Sequence, residues 1–247
     1  MSKMDNIVNK GLLLHGVGAG VLTTVSNKVL ELTTSQSMKM DVSATTEDVF
    51  GGDGLFPLYT YSSKKEGSVE ITNAEFKLSQ LAIAQQVDIA KTGNKRSFRT
   101  LIHKGDTKVA ADALTGVEVI AVIAPDGSNV TDKVKVTATG TLDTGVTLDQ
   151  DGEYAVWFKA DDANAVKASM LKNAMPEVAT LNWQFTTESS DGIKYQIDIY
   201  ARRVRADGKF SIDTSRDKAS TPSLKVNILD PGDGHDDFAV ITVTRLA

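Results

Sequence analysis

The chain has 247 residues, 41% of them hydrophobic, which is enough to build a real core and excludes wholesale disorder. A formal charge of −5 argues against a general phosphate-binding surface, which needs an excess of Lys and Arg on one face. There is no cysteine, so disulfides, thiolate metal sites and cysteine nucleophiles are excluded and cytoplasmic synthesis is expected.

At the N-terminus, Met1–Lys10 is polar, and Leu12-Leu13-Leu14 is too short for the apolar region of a secretory signal. No window approaches the roughly 18–20 apolar residues of a membrane helix. The expectation is a soluble chain made in the cytosol, not exported through a cleaved signal and with no membrane partner. Gly16-Val17-Gly18-Ala19-Gly20 resembles the start of a dinucleotide loop. Val21 stands where its third glycine belongs, and a β-rich stretch follows, so it reads as a bend into the first strand.

Six Asp-Gly dipeptides, beginning at Asp53, Asp126, Asp151, Asp191, Asp207 and Asp233, separate short β-rich runs. These runs are Val21–Leu32, Met38–Ser43, Leu55–Tyr61, Gly67–Phe76, Val117–Ala124, Val130–Ala138 and Tyr154–Lys159, then a central hairpin, Lys209–Asp213, Ser223–Leu229 and Phe238–Arg245. Evenly spaced turns between β-branched runs predict an all-β sandwich or barrel. Between the first runs, Ser35–Lys65 reads as a long loop with Gly51, Gly52, Gly54 and Pro57 set among Phe50, Leu55, Phe56, Tyr59 and Tyr61. So many large apolar residues should not stay in water, and the loop either folds back on its own domain or docks on a neighbouring subunit.

Lys77–Ala90 carries apolar residues three and four apart, with Lys91 and Gly93 following, and predicts an amphipathic helix that covers a sheet face or edge. The stretch 111–161 is a candidate inserted β submodule within an otherwise single 1–247 domain. Ala163–Asn173 is a second, shorter helical candidate, stopped before Pro176.

The strongest pattern lies around Asp191-Gly192. Leu181, Trp183 and Phe185 alternate with polar residues before it, and Tyr195, Ile197 and Ile199 alternate with polar residues after it. A period of two sends the apolar set to one face, and Asp-Gly supplies the positive φ of a tight turn. The product is a two-faced ribbon, better suited to a wall than to a catalytic pocket.

Site chemistry is sparse. His15, His103 and His235 share no ligand spacing, and no G-x-S-x-G elbow or P-loop lysine motif occurs. The run Asp230-Pro231-Gly232-Asp233-Gly234-His235-Asp236-Asp237 could offer carboxylates to Ca²⁺, but it lacks an EF-hand ligand series and reads as a solvated acidic turn. Arg202-Arg203 and Arg205 read as edge-strand charge or as ion pairs to a neighbour. Trp157 and Trp183 both sit on strands and read as core, against a carbohydrate-binding or adhesion module. No enzyme, cofactor or metal is expected.

Met175–Leu229 resembles the C-terminal half of tailed-bacteriophage tail tube proteins, the major tail protein family. The carrying residues are Pro176-Glu177-Val178-Ala179-Thr180-Leu181, the ribbon around Asp191-Gly192, Asp207-Gly208-Lys209-Phe210-Ser211-Ile212 and Ala219-Ser220-Thr221-Pro222-Ser223-Leu224. Gly67–Phe76 followed by a helix is similar to the family's strand-then-helix order. The resemblance implies a sandwich- or barrel-like subunit with one flanking helix. It further implies hexameric rings stacked into a hollow virion tail tube, with hairpins of neighbours joining into a barrel around the bore. The partners implied are the chain itself and other tail proteins, with DNA passing through without specific binding. Leu58–Phe76 and Thr180–Tyr200 are the ribbons available for such a barrel. Glu70, Glu188 and Asp198 are the candidate lumen-facing acidic residues, which would repel phosphate. Phe50, Leu55, Phe56 and Tyr59 are the candidate inter-ring loop contacts. The alternative is another β-sandwich virion component, such as a capsid decoration or head-fibre protein.

Overall fold

The computed structural model describes residues 11–52, 55–109, 114–142, 148–212, 214–217, 221–232 and 234–246. Met1–Lys10, the turn signals at Asp53-Gly54 and Asp233, and Ala111, Asp213 and Ala219-Ser220 lie outside the described residues.

The fold is all-β with one helix. In chain order the elements are β1 (Leu12–Leu13), β2 (Ala19–Thr24), β3 (Val29–Leu32), β4 (Ser35–Val49), β5 (Tyr59–Asn73), α1 (Leu78–Gln85), β6 (Asp88–Ala90), β7 (Lys95–His103) and β8 (Glu118–Ile123). They continue with β9 (Glu153–Asp161), β10 (Lys167–Ser169), β11 (Val178–Ser189), β12 (Lys194–Ala206), β13 (Ser223–Ile228) and β14 (Ala239–Arg245). Two compact units emerge: Met1–Asp88 with Ser169–Ala247, and Ile89–Ala168. The stretch 111–161 falls inside the second unit, whose bounds are wider on both sides.

The first unit is built on one antiparallel sheet in the order β3-β2-β11-β12-β13-β5-β4, with β1 beside β11 and β14 beside β12. β3 and β4 are the two ends of that path, yet only Thr33-Thr34 separates them in the chain. Two residues span roughly 10 Å at most, so the sheet must curl until its ends approach one another. The N–H of Ala74 donates to the carbonyl of Thr34 at 2.8 Å and ties the end of β5 to this corner. Inside the curl lie Leu22, Leu30, Ile71, Trp183, Ile199 and Leu224, one set from each of six strands. Each such side chain stabilises the fold by about 1.5–3 kcal/mol through burial.

The ribbon at Asp191-Gly192 forms as its alternation dictates. The β11–β12 pairing runs from Val178↔Arg205 to Glu188↔Lys194. The N–H of Gly192 donates to the carbonyl of Ser189, and Gly192 takes φ 78°, the left-handed residue of a three-residue hairpin loop. Farther along, Leu181 pairs with Ala201 but Ala179 pairs with Val204. The extra residue is a β-bulge at Arg202-Arg203, and it resets the alternation so that Ala201 and Val204 both face the core.

The helix is shorter than its sequence pattern. It stops at Gln85 because Gln86 adopts φ 52° and Val87 donates its N–H to Ala82, a Schellman-type stop made without glycine. Ile83 and Ala84 join the sheet core, while the Gln85 amide donates to the carbonyl of Gly208. The predicted helix over Ala163–Asn173 does not form. Asp162 Oδ1 accepts the N–H of Asn164 in a local turn, and Lys167–Ser169 is extended and pairs with β6.

Other departures are local. Val21–Leu32 is two strands around a turn at Asn27 rather than one run. Val130–Ala138 contains a single 3-10 turn at Thr131–Lys133 and one isolated bridge, Val136↔Leu142. The described part of Lys209–Asp213 is not a strand. Ser35–Lys65 is not one long loop: most of it is the paired strands β4 and β5, with a connection between Val49 and Tyr59.

The second unit holds a three-stranded sheet, β7-β9-β8. One face buries Ile102, Val122, Tyr154, Val156 and Phe158, with the rings of Phe98 and Phe158 stacked 5.2 Å apart.

Candidate assembly surfaces

β4 and β5 pair along their whole length, from Ser35↔Asn73 to Val49↔Tyr59. The first half belongs to the core: Met38 and Met40 pack there beside Val69 and Ile71. Beyond Val42↔Gly67 both strands are exposed on both faces, and they run as a two-stranded arm for roughly 20 Å. Side chains brace it: the Tyr61 hydroxyl donates to Glu47 Oε2 at 2.8 Å, which raises the Tyr61 pKa, and Thr60 Oγ1 donates to Asp48 Oδ1 at 2.5 Å. The rings of Tyr59 and Tyr61 stack at 6.2 Å, and the Leu58 N–H closes the tip onto the Val49 carbonyl.

The tip gathers several large apolar side chains in solvent. Leu55 is 93% exposed and Phe56 84%, with Phe50, Leu58 and Tyr59 also exposed. A lone two-stranded ribbon is only marginally stable in water, and an apolar patch of this kind on a folded protein marks a docking surface. The four candidate contact residues, Phe50, Leu55, Phe56 and Tyr59, therefore stand together at one end of one arm.

The edges of the sheet decide where another chain could add a strand. Both edges of the β11–β12 hairpin are already occupied by strands of the same chain. β2 and β1 lie along β11, and β14 and β13 lie along β12. Among the described residues, β3, β4, β14 and the two-residue β1 each retain one unpaired edge. β14 also exposes Val240 and Ile241. Such edges template pairing with a further strand.

Glu70, Glu188 and Asp198 all lie on the side of the sheet away from the core, on three different strands. None stands in an acidic cluster. Glu70 is the register partner of Lys225 on one side and Lys39 on the other. Glu188 is opposite Lys194, and Asp198 is opposite Gln184 and accepts from Gln196 Nε2 at 2.7 Å. Lys39 also bonds Asp41 at 2.8 Å, which raises its pKa. On the same outer face, Val21, Val29, Glu31, Asp198 and Tyr200 line an open groove of about 650 Å³.

The remaining sequence candidates are tied into the fold. Arg202 reaches Asp237 at 3.3 Å and Arg203 Nη1 donates to the Asp230 carbonyl at 3.1 Å. The arginines beside the bulge thus pin the acidic turn of their own chain. His103 lies between Asp106 and Glu153. Among the described residues no three His, Asp or Glu side chains gather as a metal site, and no helix is long and apolar enough to cross a membrane.

Trp183 is core, as its alternation predicts, but Trp157 is not. Trp157 points away from the second unit's core and is 41% exposed. Its neighbours Val156 and Phe158 are buried, so it is the outer member of an alternating strand. The strand's period was readable, but which parity faced the core was not.

Residues 13–241 match the family model of the YomU/Tube protein family. No curated protein matches the chain.

Proposed function

This chain belongs to the YomU/Tube protein family, and on that premise we infer that it is a non-enzymatic structural protein of a phage tail, which polymerises into the hollow tube that conducts DNA. Copies join side by side into rings, hexameric by the family resemblance, and the rings stack.

The arm carries this reading. It extends from the sheet with an exposed apolar tip of Phe50, Leu55, Phe56 and Tyr59, and a neighbouring copy in the next ring would bury it. Within a ring, lateral joining falls to the unpaired edges of β14 and β3, because the edges of the β11–β12 hairpin are occupied by its own chain. The outer sheet face then lines the bore, with Glu70, Glu188 and Asp198 on it. Lysines stand opposite Glu70 and Glu188 in the register, and Gln196 donates to Asp198. The chain's net charge of −5 keeps the protein from binding DNA by counterion release.

Negative-stain electron microscopy of the purified protein at high concentration tests this. Uniform hollow tubes or six-fold rings are expected, and monomers that persist at every concentration would overturn it.

A further inference from the structure

Resting on the reading above, we propose that the receiving surface for the arm tip is the outer sheet face of the second unit on another copy, formed by Leu101, Ile123 and Trp157 and flanked by Arg99 and Lys159.

That face has the make-up of an interface. The β7-β9-β8 sheet buries one side only. On the other side, register places Leu101, Ala155 and Ile123 in one row and Arg99, Trp157 and Ala121 in the next. Leu101, Ile123 and Trp157 are each about two-fifths exposed, giving a contiguous apolar centre with charged residues around it. Around Trp157 the rim carries two cations, Arg99 and Lys159, and Glu118 and Glu153 on this face already answer to Lys95 and to His103. The Arg99 guanidinium lies 5.9 Å from the Trp157 ring centre and makes no ion pair among the described residues. Lys159 projects on the same side as Trp157 and shares Glu118, its register partner, with Lys95, which holds that carboxylate at 2.6 Å.

The arm is the complement. Residues 45–62 contain Glu47, Asp48 and Asp53 but no lysine or arginine. Among the described residues, Glu47 and Asp48 are met by the hydroxyls of Tyr61 and Thr60 and by no cation. The acidic, apolar end of the arm, beyond Lys64 and Lys65 at its base, thus matches the end of the face that Arg99 and Lys159 flank. The first unit's groove is also partly apolar, but Glu31 and Asp198 line it, and an acidic arm would meet like charge there. Charge therefore selects the second unit. Two different complementary patches on every copy make a head-to-tail contact, the kind that propagates an open assembly.

The test is charge exchange in the full chain, read by electron microscopy and by the concentration at which polymer sediments. R99E/K159E is expected to raise that concentration at least tenfold, with an unchanged melting temperature because both residues are exposed. Adding E47K/D48K to it is expected to restore assembly, and E47K/D48K alone to lose it. Assembly of R99E/K159E at the wild-type concentration, or failure of the four-fold variant to recover, overturns the assignment while leaving the tube reading intact. Wild-type protein that never polymerises overturns both.

Discussion

The indole of Trp183 lies against the backbone of Gly20 on the neighbouring strand. A β-carbon on Gly20 would stand 2.2 Å from Trp183 Cε3 and 2.9 Å from the Asn182 carbonyl. The ring's Nε1 donates to the carbonyl of Val17 at 2.9 Å, so the segment before β2 is held to the same side chain. The glycine-rich stretch Gly16–Gly20 thus leaves room for a large core residue, and its glycines need no phosphate to explain them. Gly20→Ala is expected to destabilise the first unit by about 1–3 kcal/mol through overpacking. That lowers the melting temperature by roughly 2–4 °C per kcal/mol, measured by circular dichroism. A variant that melts with wild type would show that the contact is looser than described.

Asn27 sits at φ 61° in the β2–β3 turn, where its N–H donates to the Thr24 carbonyl. The geometry parallels the loop at Gly192, with asparagine in the left-handed position. Asn27→Gly should change stability by less than about 0.5 kcal/mol, since relieved strain is offset by a freer unfolded chain. Asn27→Val should cost at least about 1 kcal/mol, because a branched side chain in that conformation is strained. Paired denaturant titrations check both, and equal midpoints for the two variants would contradict the assignment.

These turns show what the sequence could carry. The β11–β12 ribbon was legible because one face is buried along its whole length and its turn is Asp-Gly. Val21–Leu32 read as one run because an asparagine turns it. The helix overran because Gln86, not glycine, ends it. The distal part of β4 was invisible as a strand: with both faces in solvent it shows no hydrophobic period of two, and what holds it is pairing to β5, the strand that Leu58–Phe76 marks, with side chains across the pair. At the candidate interface the apolar tip residues were legible by composition. The exposed face of Trp157 was not, because a strand's period does not say which parity meets the core.

Asp126 supplies a pH dependence. Hydrogen bonds from Ser128, through side chain and backbone, and from Gln150 Nε2 hold its carboxyl at about 2, below the ordinary 3.8. A carboxyl depressed in the folded state adds stability above its unfolded pKa, and that stability is lost as pH falls through the folded value. The window is therefore about pH 4 down to 2. Asp126→Asn cannot titrate, so its urea midpoint should fall less than that of wild type across this window. Parallel curves for the two proteins would show that the turn does not hold the charged form.

The arm tip separates assembly from folding. Phe50, Leu55 and Phe56 are exposed, and among the described residues the tip's backbone brace outside the strand ladder is Leu58 to Val49. Replacing all three with serine removes apolar surface that meets water in the single copy. The monomer's melting temperature should shift by no more than about 0.5 kcal/mol of stability implies, the ordinary range for surface changes. Polymer should nevertheless disappear, because on the proposed reading these side chains would be buried against another copy. Electron microscopy and sedimentation read assembly, and a thermal melt at low concentration reads folding. A large drop in melting temperature would instead mean that the tip folds back on its own unit, and tubes of normal length would mean that the arm does not join copies.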